Sequence, residues 1–412
     1  MPRAHVLLSE SIHASASDAF ERADVQVHRT SAGLGPEEII EALNGLPGDG
    51  PVMIGVRSKT KVRAPIFEAV PRLAAVGAFC IGTDQIDLEV AAQSGVAVFN
   101  APFSNTRSVA ELVIAEIVCL SRQLFERSWA AHEGRWRKDA KGAHEVRGKT
   151  LGIIGYGHIG SQLSVLAEAM GLRVRYHDIV NKLPLGNASA SESLDALLAG
   201  SDFVSLHVPN TPQTRNMFGA AELAKMKPGA YLINASRGTV VDIEALRASL
   251  ESGHVAGAAL DVYPKEPKST ADPFESPLQG LRQVILTPHI GGSTQEAQAN
   301  IGVEVSEALA AYTRFGRTTG CITLPAIDAP AISPGRSRLL NIHRDVPGVL
   351  TSANQRVSDA GLNITGQRLE TQAGVGLLLM DVDAKSDDPR VESLRADLAG
   401  LAQSLPRRTR LL

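Results

Sequence analysis

Cysteine is scarce: Cys80, Cys119 and Cys321 are the only three in 412 residues, and no two form a CxxC pair. That excludes a disulfide framework and a cysteine-built zinc site, and it suits reduced thiols in a cytoplasmic protein. An excess of charge of one sign is lacking too. The 41 basic and 44 acidic side chains leave a formal net charge of −3. With no long block of like charge, this balance argues against a dedicated nucleic-acid binder or a polybasic membrane protein. An anionic substrate stays compatible, because a few placed cations vanish in the total. Long apolar runs are missing as well. The first one, in MPRAHVLLSESIHASAS, is broken by Ser9 and Glu10 and is too short for a signal-peptide core. No later stretch approaches the ~18 apolar residues of a membrane span, and neither an internal repeat nor a low-complexity tract is present.

What is there is an ordinary globular composition, 44% hydrophobic and 21% charged, long enough for two to four domains. Short apolar runs alternate with helical stretches up to about residue 316. Among them are HVLLSE (5–10), VMIGVR (52–57), LGIIGYG (151–157), RVRYHD (173–178), FVSLHV (203–208), AYLINAS (230–236), VAGAALDVY (255–263) and QVILTPH (283–289). Nearly continuous apolar strands spaced by helices predict βα units and parallel sheets buried on both faces. Two longer helical patterns cover about 106–133 and 294–315. Residues 317–335, with Pro325, Pro330 and Pro334, read as a linker. Beyond it the rhythm becomes βαββαβ, the ferredoxin-like order.

Gly155, Gly157 and Gly160 form a GxGxxG loop between the strand LGII and the helical stretch SQLSVLAEAMG. Alone this signal is weak. In that context the glycines permit a tight turn at a helix N-terminus that offers N–H groups to a pyrophosphate. Asp178 closes the next strand, where a carboxylate accepts from both ribose hydroxyls and repels a 2′-phosphate, so NAD is expected over NADP.

Polar residues gather at three further strand ends: Asn234-Ala235-Ser236-Arg237-Gly238, Asp261 to Pro267, and Thr287-Pro288-His289-Ile290-Gly291-Gly292. Taken singly, each has a structural explanation. Together they supply what oxidation of a 2-hydroxy acid needs. His289 takes the hydroxyl proton, Glu266 orients and supports the imidazole, and Arg237 holds the substrate carboxylate. No metal site is expected.

The sequence resembles the D-isomer-specific 2-hydroxyacid dehydrogenases over essentially its whole length. RSKT (57–60), FCIGTDQIDL (79–88), NAPFSNTRSVAEL (100–112), LGIIGYGHIG (151–160), LHVPNTPQT (206–214), NASRGTVVD (234–242) and LTPHIGGSTQEAQ (286–298) carry the likeness. It implies catalytic roles for Arg237, Glu266 and His289. It also implies an NAD site lined by Gly155, Gly157, His158, Ile159, Gly160, Asp178, Ala235, Ser236, Asp261, Gly291 and Gly292. The implied fold is α/β, with two Rossmann-like or flavodoxin-like parallel-sheet lobes and a ferredoxin-like tail. Residues 1–99 and 294–334 would form a discontinuous substrate-binding domain, and 100–293 an NAD-binding Rossmann domain. Residues 335–412, whose LLNIHRDVPGVLTSA and GLNITGQ resemble an ACT domain, would form a regulatory one.

Arg57, Ser58, Lys59 and Asn105 are the candidates for the substrate's second anionic group, and Arg135, Arg137 and Lys138 around Trp136 form another basic cluster. In the tail, His343, Asp345 and Asn363 are candidates for binding an effector, L-serine. The implied activity is NAD-dependent oxidation of 3-phospho-D-glycerate to 3-phosphooxypyruvate, feeding serine synthesis, with reduction of 2-oxoglutarate as a side activity and a cytoplasmic homotetramer as the assembly. A glyoxylate or hydroxypyruvate reductase, and an NAD-sensing binding protein of low turnover, are the alternatives.

Overall fold

The computed structural model describes residues 4–267 and 272–412. Its first stretch alternates β1 (Ala4–Leu8), α1 (Ala16–Arg22), β2 (Val25–Arg29), α2 (Pro36–Asn44), β3 (Val52–Val56), α3 (Ala64–Ala69), β4 (Leu73–Ala78), α4 (Leu88–Gln93) and β5 (Ala97–Phe99). These strands form one parallel sheet in the order β2-β1-β3-β4-β5, the flavodoxin-like arrangement. β1, β3 and β4 are buried at every position, the physical origin of their unbroken apolar runs. The edge strand β2 is partly exposed and carries Gln26, His28 and Arg29, so it leaves no such run.

The next segment opens with α5 (Thr106–Arg122) and α6 (Leu124–His132), where periodicity predicts a single helix over 106–133. The break is at Gln123, whose φ of 53° lies in the left-handed region. A non-glycine residue in that conformation ends a helix without disturbing the hydrophobic spacing on either side. There follow β6 (Thr150–Ile154), α7 (His158–Ala169), β7 (Arg173–His177), β8 (Ser189–Ala190), α8 (Leu194–Gly200) and β9 (Phe203–Leu206). Then come α9 (Ala220–Lys225), β10 (Ala230–Asn234), α10 (Ile243–Glu251), β11 (Val255–Leu260) and β12 (Val284–Leu286). The parallel order β12-β11-β10-β9-β6-β7-β8 is the doubly wound dinucleotide-binding arrangement with one strand added. It places the change of winding direction between β6 and β9, where such sheets take their ligands.

The chain then runs through α11 (Gln295–Phe315) to β13 (Ser337–Arg344), α12 (Val349–Asp359), β14 (Ile364–Gln372), β15 (Val375–Val382), α13 (Pro389–Ala399) and β16 (Ser404–Leu411). Their antiparallel sheet has the order β14-β15-β13-β16, as in ferredoxin-like folds.

Two compact units result, one of Met1–Ser104 with Gln298–Leu412 and the other of Asn105–Ala297. In the first, the central strands of the tail sheet, β13 and β15, are buried on both faces, while the edge strand β14 is largely exposed. Leu340, Ile342, Leu377 and Leu379 share a core with Val305, Leu309 and Tyr312. On the opposite face Leu339, Leu378 and Met380 pack with Ala353, Val357, Leu394 and Leu398. The stretch that reads as a linker is docked. Ile322 N–H donates to the Val98 carbonyl (2.8 Å), extending the chain along β5, and Leu324, Ile327 and Ala329 are buried. Arg338 locks the same junction. Its buried guanidinium donates to both carboxylate oxygens of Asp381 (2.6 and 2.8 Å) and to the carbonyls of Phe315 (3.0 Å) and Pro330 (2.8 Å). Removing one side of such a buried pair costs roughly 3–5 kcal/mol. Among the described residues, no helix is long and apolar enough to cross a membrane.

Candidate active site

β6 delivers the glycine loop to the switch point of the second sheet. Gly155 has φ +90°, and a Cβ there would lie 2.3 Å from the His207 carbonyl oxygen at the end of β9. A Cβ at Gly160 would lie 2.3 Å from the Gly155 carbonyl oxygen, whereas one at Gly157 would meet nothing within 4 Å. Gly155 and Gly160 are therefore needed for close packing, and Gly157 leaves the approach open. Gly157 is also the N-cap of α7 and supplies no side-chain cap, so the first-turn N–H groups, with His158 exposed and Ile159 half-buried, point out of a helix that cannot satisfy them itself. Asp178 braces this turn. Its carboxylate accepts from Tyr156 N–H (2.8 Å) and Val180 N–H (2.9 Å) and stays half-exposed. An open cradle of backbone donors with an acid one strand away fits a dinucleotide. His207, beside the loop, is held neutral, its pKa pushed down to about 4 by burial.

The second element follows β10. Buried Asn234 folds the loop upon itself: its Oδ1 accepts from Ser236 N–H (3.1 Å) and Ser236 Oγ (2.8 Å), and its Nδ2 donates to the Arg237 carbonyl (3.0 Å). Ala235 is half-buried, Ser236 buried and Arg237 half-buried. Gly238 sets this loop directly on the next, because a Cβ there would stand 1.9 Å from the Tyr263 carbonyl carbon and 2.1 Å from its oxygen.

The third element is organised by Asp261, buried at the end of β11. Its Oδ1 accepts from Thr287 Oγ1 (2.6 Å) and Ile290 N–H (2.8 Å), and its Oδ2 from Gly291 N–H (2.8 Å). These bonds bracket His289, whose φ of +54° is strained for a non-glycine residue. His289 Nδ1 meets Glu266 Oε2 at 2.8 Å, and Glu266 Oε1 accepts from Tyr263 N–H (3.1 Å). The Glu266 hydrogen bond raises the His289 pKa above its ordinary value, against burial and the charge of Arg237, with the charges of Glu266 and Asp261 adding to the rise. Burial pushes the Glu266 carboxyl upward, but the His289 bond and charge, the Tyr263 N–H and Arg237 together hold it below its usual range. The ring thus donates through Nδ1 and keeps Nε2 as a proton acceptor, with a guanidinium close enough to act on both partners.

The remaining candidates are placed as follows. Asn105, just before α5, lies against Gly292, where a Cβ would be 2.6 Å from Asn105 Nδ2, and its Oδ1 is buried without a partner. Arg57, Ser58 and Lys59 follow β3 in the other unit, half-buried for Arg57 and exposed for the other two. The cluster around Trp136 is partly neutralised, since Arg135 pairs with Glu133 and Arg137 with Glu126. In the tail, His343 is buried and bonded to Asn341 Oδ1 (3.1 Å), while Asp345 and Asn363 are exposed. Among the described residues no group of three or more His, Cys, Asp or Glu could hold a metal.

Sequence reasoning missed Glu116 on α5. Both of its carboxylate oxygens are buried without a hydrogen-bond partner, and burial, with the charge of Asp261, raises its pKa to about 8. An acid at a helix position that periodicity assigns to the core was the available signal. It also gave Asn234 and Asp261 no part in shaping their loops.

Comparison with known proteins decides the family. The profile described as "D-isomer specific 2-hydroxyacid dehydrogenase, NAD binding domain" matches residues 114–291. D-3-phosphoglycerate dehydrogenase of Dictyostelium discoideum is 47% identical over 99% of this chain and 97% of its own. The chain belongs to the D-isomer-specific 2-hydroxyacid dehydrogenase family. It is an NAD-dependent oxidoreductase. D-3-phosphoglycerate dehydrogenase of Escherichia coli K12 is 50% identical over 92% of each chain. Among solved structures, a glyoxylate reductase from Paecilomyes thermophila aligns with a TM-score of 0.69 and 30% identity, covering 78% of this chain and 99% of its own. A D-lactate dehydrogenase from Aquifex aeolicus, complexed with NAD and lactic acid, aligns with a TM-score of 0.63 and 28% identity over 74% of this chain and 95% of its own.

Proposed function

We propose that this dehydrogenase oxidises 3-phospho-D-glycerate at C2 to 3-phosphooxypyruvate, the first step of the phosphorylated route to L-serine. The observation that carries the chemistry is the 2.8 Å bond between His289 Nδ1 and Glu266. It leaves Nε2 to take the proton of the substrate hydroxyl while the C2–H bond breaks. Arg237 pairs with the substrate carboxylate and turns C2 toward the nicotinamide. NAD, when bound, supplies the acceptor for the hydride. The amides after Gly157 would hold its pyrophosphate and Asp178 its ribose, and Ala235, Ser236, Asp261, Gly291 and Gly292 would line the rest of its site. Residues 1–99 and 294–334 serve as the substrate-binding domain, 100–293 as the NAD-binding domain and 335–412 as an ACT regulatory domain.

The phosphate of the substrate is assigned to Arg57, Ser58, Lys59 and Asn105. Support for this substrate over glyoxylate comes from the relatives, 47% and 50% identical for two phosphoglycerate dehydrogenases against 30% for the glyoxylate reductase. Feedback by L-serine at His343, Asp345 and Asn363 completes the reading, along with 2-oxoglutarate reduction as a side activity. A cytoplasmic homotetramer is the proposed assembly. It would cover Trp129 and Trp136, which are 61% and 87% exposed.

The test is NADH consumption with 3-phosphooxypyruvate, hydroxypyruvate, glyoxylate and 2-oxoglutarate, each with and without L-serine. A clear preference in kcat/KM for the phosphorylated acid is expected, together with inhibition by serine. Equal kcat/KM across the four acids contradicts the substrate assignment, and a rate indifferent to serine removes only the feedback. For the cofactor, Asp178→Ala is expected to raise KM for NAD about tenfold and to narrow the preference over NADP. An unchanged NAD to NADP ratio would oppose the ribose assignment.

A further inference from the structure

The two residues that interrupt the first apolar run, Ser9 and Glu10, stand where β1 ends. Both Glu10 and Ser11 have positive φ, 59° and 51°, a conformation that costs free energy in residues with a side chain and persists only when the surroundings enforce it. The outcome is a buried carboxylate. Glu10 is 8% exposed, and it accepts three backbone N–H groups from a single loop: Arg57 (3.1 Å) and Thr60 (2.7 Å) on Oε1, Lys59 (2.9 Å) on Oε2. Around it, Ser9 Oγ donates to the Gly55 carbonyl (3.0 Å), and buried Thr60 accepts from Leu34 N–H (3.2 Å) through Oγ1.

An acid this near two cations would ordinarily pair with them. Here its charge is spent on the backbone. Among the described residues, Arg57 and Lys59 make no side-chain hydrogen bond or ion pair. Three amides converging in one loop also constitute an anion-binding concavity, and Glu10 fills it. An anionic group arriving at this loop therefore meets the side chains and not the amides.

We infer that Glu10 is the positioning residue of the 57–60 loop, pinning its backbone so that the side chains of Arg57 and Lys59 stay unpaired and available to the phosphate of the substrate. This rests on the assignment of that loop to the substrate phosphate. Charge-assisted bonds to three amides are strong. A glutamine at position 10 retains one acceptor oxygen and turns an NH2 group toward donors, so the loop loses its register while the dehydrogenase chemistry, in the other unit, is untouched.

The experiment compares the full-length wild type, Glu10→Gln and Arg57→Ala in NADH-dependent reduction of 3-phosphooxypyruvate and of hydroxypyruvate, which lacks the phosphate. For Glu10→Gln, KM for the phosphorylated acid is expected to rise about tenfold more than KM for hydroxypyruvate, with a much smaller change in kcat. Arg57→Ala should raise the same KM ratio. If Arg57→Ala raises the ratio and Glu10→Gln does not, the role of Glu10 is overturned. If neither variant moves it, the assignment of the loop to the phosphate fails first. Should Glu10→Gln lose its native circular dichroism, Glu10→Asp is read by the same ratio, because it keeps the charge and withdraws the carboxylate by one methylene. An unchanged ratio there likewise overturns the proposal.

Discussion

His289→Ala is expected to lower kcat about a thousandfold while leaving KM for NAD within about twofold of wild type. The size of the effect follows from what the ring does. Its Nδ1 is fixed by Glu266 at 2.8 Å, so the tautomer and the direction of Nε2 are set before substrate arrives, and no water in its place would be held with the same basicity or aim. The insensitivity of cofactor binding follows from the loop's construction. Ile290 and Gly291 are tied to Asp261 through their N–H groups, and Thr287 through its hydroxyl, so the loop backbone proposed to line the NAD site keeps its course without the imidazole. Stopped-flow NADH absorbance gives kcat, and quenching of protein fluorescence by NADH gives the binding constant. A large loss of NADH affinity would mean that His289 shapes the cofactor site and does not only move a proton.

Gly238→Ala should be nearly as damaging, and for a different reason. The added methyl would sit 1.9 Å from the Tyr263 carbonyl carbon, 2.1 Å from its oxygen and 2.5 Å from Pro264 N. These are backbone atoms and cannot step aside as a side-chain tip can. One of the two loops must move, and these loops carry Arg237 and Glu266. The expected results are a loss of about 3 kcal/mol or more in stability and a fall in kcat/KM of at least about a hundredfold. Thermal unfolding and steady-state kinetics on the same preparation check both. An alanine variant of wild-type stability and activity would show that the contact between the loops is not required.

The parts of the fold legible in the sequence were those in which burial writes a pattern. β1, β3 and β4 are covered on both faces and appear as apolar runs. The glycine loop appears because a strand period gives way to a helix period at Gly155. Residues 4–104, 105–297 and the tail each obey that logic. The break at Gln123 did not appear, because a left-handed residue between two amphipathic helices leaves the spacing of Leu120 and Leu124 intact. Nor did the docking of residues 317–335, whose prolines announce an irregular path without saying whether it is packed.

At the candidate site, Arg237, Glu266 and His289 were named by residue chemistry and by likeness to a family, one strand end at a time. Neither source contains the reason they meet. That reason lies in hydrogen bonds from side chain to backbone, Asn234 on its own loop and Asp261 on Thr287, Ile290 and Gly291, and these have no periodicity to read. Glu116 and Glu10 each interrupt an apolar pattern, which the sequence shows, but what each one does there is not written in it. Only the fold leaves the buried Glu116 carboxylate without a hydrogen-bond partner and gives Glu10 three amides.

The most direct test of the account is the pH dependence of kcat/KM for oxidation in the wild type and in Glu266→Gln. In the proposed role His289 must be neutral to accept the hydroxyl proton, so activity should rise with pH as the ring loses its own. Glu266 raises the His289 pKa above 6.5, which places the wild-type rise above that pH. Removing the carboxylate lowers the pKa and should move the rise toward acid, with a lower plateau because the ring is less well oriented. In the reverse direction, which needs the protonated ring, the fall in activity should move to lower pH in step. A midpoint shared by wild type and variant would contradict the assignment of proton transfer to the His289–Glu266 pair.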